Sequence, residues 1–192
     1  MFLAELINSL IPKYYSQLDQ LRAMTIIATS FAMVGAILLL VLYWVATKSF
    51  ETKITIFVAL ACILLLGVCM GFVIQGWLTT GAWMLIILMV LVNFSNMALY
   101  GISSSSSAAY IIPILLTVFC IGTNAGFGIT VLGCILVFII PILQSRRIIK
   151  SILPFHISSL TFDAPVLTLI YLLAAIIVTS WAVSSKSMFL NS

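Results

Sequence analysis

The chain has 192 residues, of which 64% are hydrophobic and 6% charged, with a net charge of +4 and a mean hydropathy of +1.35. Soluble globular domains hold roughly 45–50% apolar and about 25% charged residues, so a soluble enzyme is excluded, and the length is expected to be filled by one polytopic membrane domain with no added catalytic module. The basic residues are scattered between the N-terminal arm, a short loop and residues 146–150, too thinly to track phosphates, which excludes nucleic acid as a partner.

Residues 1–22 place Leu3, Leu6, Ile7 and Leu10 at helical spacing, break at Pro12, and continue with Tyr14, Tyr15, Leu18 and Leu21 among polar residues. This reads as an amphipathic N-terminal helix lying in the membrane interface. Glu5, Pro12 and Asp19 interrupt any apolar core of a signal peptide, so a retained N-terminus is expected.

Six apolar runs follow, near 23–47, 54–74, 82–99, 108–121, 126–143 and 164–183, and residues 54–145 contain no Asp, Glu, Lys, Arg or His. A span needs about 20 residues, within a range of roughly 17–25, and five runs meet it. The fourth is shorter and contains Pro113, so it is open to three forms: a short tilted span, a broken helix, or one limb of a re-entrant hairpin with the fifth. The expectation is therefore an all-α bundle of about six transmembrane helices over 23–184, with a short tail at 185–192, in a membrane such as the bacterial inner membrane. Trp44, Trp77, Trp83 and Trp181 fall at or near run ends, as an aromatic belt would. Lys13, Arg22 and Lys186 oppose Lys48, Lys53, Arg146, Arg147 and Lys150, a count that leans toward termini outside.

Within the runs, Ala28, Ala32 and Ala36 on the first span and Gly67 and Gly71 on the second form small-residue faces. Such faces let helix backbones approach closely, inside the domain or against a partner subunit. Cys62, Cys69, Cys120 and Cys134 sit in apolar runs as small hydrophobes. Asn93, Ser95 and Asn96 interrupt the third run, and Asn93 and Asn96 share a face at i, i+3. Their amides need an interhelical hydrogen bond or a ligand in a polar cavity. Residues 103–107 are an all-serine tract expected to be a loop, and with Tyr110 they complete the region where such a cavity would lie.

Gly122, Gly126 and Gly128 surround a tight uncharged turn that lacks the GxGxxG pattern and the lysine of a phosphate loop. They are read as permitting a chain reversal. His156, the one histidine, lies in a second amphipathic stretch at 146–163 and is expected to be interfacial. The residues present assemble neither a metal site nor a Ser-His-Asp set within the membrane, and the runs lack the ionisable groups of ion-coupled carriers, so catalysis and coupled pumping are both disfavoured. No intrinsic cofactor is expected, though contact with lipid, quinone or pigment stays open.

Gly76 and Gly81 around one turn, Gly101-Ile102-Ser103, Ala109-Tyr110-Ile111-Ile112-Pro113, and Gly122 with Gly126 recur in order over residues 76–137. In this the chain resembles the membrane input domains that precede histidine-kinase or diguanylate-cyclase modules in bacterial sensors. The resemblance implies a shared helical membrane fold; only residues 185–192 follow the last run, so no output module is expected. The Ala28, Ala32 and Ala36 face is also similar to the docking face of the substrate-capturing subunits of energy-coupling-factor vitamin transporters. The segments between runs, however, offer few polar groups to hold a vitamin.

Two functions remain. One is a non-catalytic accessory subunit of a larger membrane complex, photosynthetic or respiratory, whose partners are other membrane subunits and lipids. The other is a membrane ligand-binding module, sensory or vitamin-capturing, that acts through a separate partner.

Overall fold

A computed structural model describes residues 15–47, 53–102, 105–146, 148–149 and 159–190. His156, the arm up to residue 14, Ser103, Ser104 and the whole stretch from 150 to 158 lie outside the described residues. Among the described residues every regular element is helical, and five helices are long and apolar enough to cross a membrane. In hydrocarbon each backbone N–H and C=O must find its partner within the protein, which selects helices for such apolar runs. The chain is an all-α integral membrane protein.

Two compact units divide the chain, Met1–Leu85 and Ile86–Ser192. In the first, α1 (Gln17–Thr47) packs against α2 (Lys53–Ile74), and α3 (Leu78–Tyr100) begins. Helix α1 starts ahead of the expected residue 23, because Ser16 and Asp19 cap it: the Asp19 N–H donates to Ser16 Oγ at 3.2 Å, and the serine hydroxyl donates to the Asp19 carboxylate at 2.8 Å. Part of the predicted interfacial arm is thereby the first turn of the span. Tyr15 then donates its hydroxyl proton to the Val73 carbonyl at 2.8 Å, fastening the start of α1 to the end of α2.

Helix α2 closes in a Schellman turn. The Gly76 N–H donates to the Val73 carbonyl and the Trp77 N–H to the Phe72 carbonyl, with Gly76 at φ +96°. The first turn of α3 comes so close to α2 that a Cβ on Gly81 would stand 2.9 Å from the Cys69 carbonyl oxygen.

The second unit holds the rest of α3, the short helix α4 (Ser105–Ala108), α5 (Ile111–Cys120), α6 (Thr123–Ser145) and α7 (Ala164–Leu190), the last preceded by a π-helical turn at Ser159–Asp163. Helix α5 packs on both α6 and α7, and α6 packs on α7. Helix α7 continues to Leu190 instead of ending near 183, so most of the expected tail is helical. The two ends of α3 and α6 meet where the buried Gln144 amide donates to the Ala98 carbonyl at 3.1 Å and to the Met97 carbonyl at 3.4 Å. These are last-turn carbonyls of α3, which have no partner inside the helix. Gly101, at φ +84°, ends α3 with its N–H on the Met97 carbonyl at 2.9 Å.

Candidate functional site

The fourth apolar run takes the broken form. Its regular part, α5, has 10 residues and rises about 15 Å at roughly 1.5 Å per residue, half of a hydrocarbon core of about 30 Å. Ahead of it the described chain passes through the single turn of α4 and a hydrogen-bonded turn at residues 109–110 before it enters α5.

Side-chain contacts fix the level at which α5 begins. Tyr110, its N-cap residue, packs against Tyr171, with ring centroids 5.3 Å apart. Tyr171 is the central residue of the Leu160–Ala182 span. The same Tyr110 ring lies over Gly133, next to the centre of Thr123–Ser145. At the other end of α5, Phe119 stacks on Trp181 at 5.7 Å, near the end of its span. Helix α5 therefore runs parallel to α7 from mid-span to one end, whereas the end of α3 at Gly101 and Ile102 lies toward the opposite end. Ile102, buried with Met97, Ile140 and Ala164, marks that upper level. Non-helical backbone at such depth is tolerated where protein encloses it or a polar cavity borders it.

Glycine makes the enclosure possible. A Cβ on Gly133 would stand 2.3 Å from Tyr110 Cε1, and one on Gly126 would stand 2.2 Å from Val118 Cγ2, so only hydrogen at these positions lets α5 lie against α6. The α5–α6 reversal is made by Gly122 at φ +141°, whose N–H and that of Ile121 both donate to the Thr117 carbonyl at 3.0 Å. The expected chain reversal thus sits where the glycine cluster placed it.

Polar groups gather where the span is broken. Tyr110, Tyr171 and Ser107 are each 0% exposed. The Tyr110 hydroxyl donates to the Ile129 carbonyl at 3.2 Å, and the Tyr171 hydroxyl donates to the Ser107 carbonyl, which also accepts from the Tyr110 N–H at 3.2 Å. Among the described residues six polar side chains are buried, and their satisfaction is uneven. Ser30, Thr117 and Thr130 donate to carbonyls one turn back in their own helices, at 2.6–2.8 Å. Asn93 and Gln144 also donate to carbonyls. The Ser107 hydroxyl has no partner. Helix α4 begins only two residues before it, so no carbonyl of that helix lies a turn behind to accept its proton.

Of the residues singled out from sequence, Tyr110 is at the centre of this cluster. Asn93 is buried, but its amide turns back to the Met89 carbonyl of its own helix at 2.9 Å instead of reaching a neighbouring helix. Asn96 is half-buried, and Ser95 is exposed with its hydroxyl on the Leu91 carbonyl. The serine tract ends in a helical turn, not wholly in a loop. Tyr171 carried no sequence signal beyond being a polar residue in an apolar run, and Gln144, just past the end of the fifth run, carried none.

The small-residue faces behave differently from Gly81, Gly126 and Gly133. A Cβ on Gly67 or Gly71 would meet nothing within 4 Å, Gly67 is exposed, and on α1 Ala32 and Ala36 are exposed with Ala28 half-buried. No family model, curated protein or solved structure matches this chain.

Proposed function

We propose that this protein is a non-catalytic membrane module that binds a small uncharged molecule inside its helical bundle and acts through a separate partner protein, as a sensor input domain or a capturing subunit does. The observation that carries this reading is the broken fourth run, whose junction between α4 and α5 brings two buried tyrosines and an unpartnered serine hydroxyl together at mid-span. Discontinuous helices are where polytopic proteins build ligand sites, because a half-helix terminus and freed backbone groups supply polarity without charged side chains. The uncharged character of residues 54–145 favours a neutral ligand.

The test is purification from native membranes in mild detergent, followed by mass spectrometry of whatever travels with the protein. A stable protein carrying one small molecule in fixed ratio supports the reading. A protein that carries none overturns it.

A second reading, the accessory subunit of a larger membrane assembly in a bacterial inner membrane, is favoured by the open Gly67 and Gly71 on α2 and by the exposed Ala32 and Ala36 on α1. Small residues without a neighbour leave room for a second backbone at close range. Fixed-ratio protein partners in the same purification, with loss of stability on their removal, would select it.

A further inference from the structure

The last turn of α6 has two unlike faces. Gln144 is buried and donates its amide to the Ala98 and Met97 carbonyls of α3. Arg146, two residues on, is exposed and stands about 200° further round a helix of roughly 3.6 residues per turn. It is in register with the apolar stripe that α6 turns outward. Ile135, Phe138, Ile139 and Ile142, all exposed, recur at the three- and four-residue steps of one helix face, and Arg146 is the next such step after Ile142.

Helix length sets the depth of the arginine. The 23 residues of α6 rise about 34 Å at roughly 1.5 Å per residue, slightly more than a hydrocarbon core of about 30 Å. Arg146, the C-cap residue, therefore leaves the hydrocarbon at the level of the lipid headgroups. The chain does not run straight on into water, because the Ile148 and Ile149 N–H groups donate back to the Leu143 carbonyl at 3.0 and 3.4 Å, and Ile148 is exposed. A bare isoleucine beside an exposed arginine suits the membrane boundary, where the first keeps to the acyl chains and the second to the phosphates.

The charge balance at this end is one-sided. Among the described residues the one ion pair joins Arg22 to Asp19, so the Arg146 guanidinium holds no carboxylate there, Asp163 at the start of α7 included. In the sequence Arg147 and Lys150 follow it, and no acidic residue occurs between Glu51 and Asp163. Residues 121–126, at the other end of α6, carry no charge. A guanidinium is a planar fork of N–H donors that fits a phosphate, and cations beside a span draw in acidic lipid.

From these we infer that the end of α6 is a docking site for an acidic phospholipid, whose phosphate accepts from the Arg146 guanidinium while its acyl chains lie along the Ile135 to Ile142 stripe. The site stands whether or not the bundle holds a ligand, and it fixes one end of α6 at the membrane surface.

The experiment titrates the full chain in mild detergent with phosphatidylglycerol and, separately, with phosphatidylcholine of the same acyl chains, whose choline neutralises its phosphate. Native mass spectrometry counts the lipids retained. A preference for phosphatidylglycerol of about fivefold is expected, the scale for one cation beside an acidic surface, and it should weaken as salt is raised. Arg146→Gln is expected to abolish the preference at an unchanged unfolding midpoint, Arg146→Lys to keep part of it, and Lys186→Gln, near the end of α7, to leave it as it was. Equal retention of the two lipids, or an undiminished preference in Arg146→Gln, overturns the inference. So does full displacement of the lipid by inorganic phosphate, which would assign a free-anion site, or an equal loss in Lys186→Gln, which would assign the preference to net charge alone.

Discussion

The ring of Tyr110 occupies the space that a side chain on Gly133 would need: a Cβ there would stand 2.3 Å from Cε1 and 2.8 Å from Cδ1. Neither partner can yield easily, since Tyr110 is fully buried, packed on Tyr171 and tied by its hydroxyl to Ile129 on the same helix as Gly133. Gly133→Ala is expected to destabilise the protein by about 1–3 kcal/mol, the usual cost of overpacking a close-packed interior. Thermal or denaturant unfolding in detergent measures it, and an unchanged midpoint would show that the tyrosine is less confined than its contacts imply.

Glycines on α2 give the opposite expectation. Gly67→Ala and Gly71→Ala meet open space, so each should leave the isolated protein unchanged or slightly stabilised, because alanine is the better helix former by about 1 kcal/mol in an exposed helix interior. Replacement of both by Leu is expected to lower the yield of any complex while sparing the stability of the chain alone. Co-purification yield beside the unfolding midpoint separates the two effects, and full complex yield would remove this face as a docking surface.

Without ligand, Ser107→Ala should stabilise the protein by about 1–3 kcal/mol, the penalty of a buried hydroxyl that makes no hydrogen bond. The unfolding midpoint of delipidated protein reads this directly. A loss of stability would mean that the hydroxyl has a partner in solution.

Gln144 serves the end of α3 in a way that can be weighed. Gln144→Met keeps the volume and removes the donor to the Ala98 and Met97 carbonyls, so a cost of about 1–2 kcal/mol is expected, near the upper end of interhelical hydrogen bonds in membranes. Amide hydrogen exchange in the last turn of α3 should quicken in parallel. If only global stability fell, Gln144 would be acting through packing.

Tyr171→Phe removes one donor from the doubly bonded Ser107 carbonyl and leaves the Tyr110 N–H in place. The expected loss is about 1 kcal/mol, measurable as a lowered unfolding midpoint. A much larger loss would assign the tyrosine a wider part in holding the break together.

The five long helices were legible in the sequence because a membrane imposes a single requirement, sustained apolarity over a fixed length, and the chain meets it five times. The fourth run announced its irregularity through its length and Pro113, which lacks an N–H and suits a first helical turn. What could not be read was which side chains face one another. The i, i+3 spacing of Asn93 and Asn96 marked a shared face, but an amide can also turn back onto its own helix, as Asn93 does. Gly133 and Gly67 look alike as letters; only the presence of Tyr110 opposite one and open space opposite the other tells them apart. Tyr171 and Gln144 matter for partners 64 and 46 residues away along the chain, and no local pattern carries that pairing.

Helix α5 is held to α7 at both of its ends, by Tyr110 against Tyr171 and by Phe119 against Trp181. A ten-residue rod pinned at two points to one neighbour cannot swivel on its own. The pairing predicts that a displacement at the tyrosine pair shifts both helices together as far as Trp181, whose side chain lies 56% exposed, so that its fluorescence would report an event in the middle of the bundle.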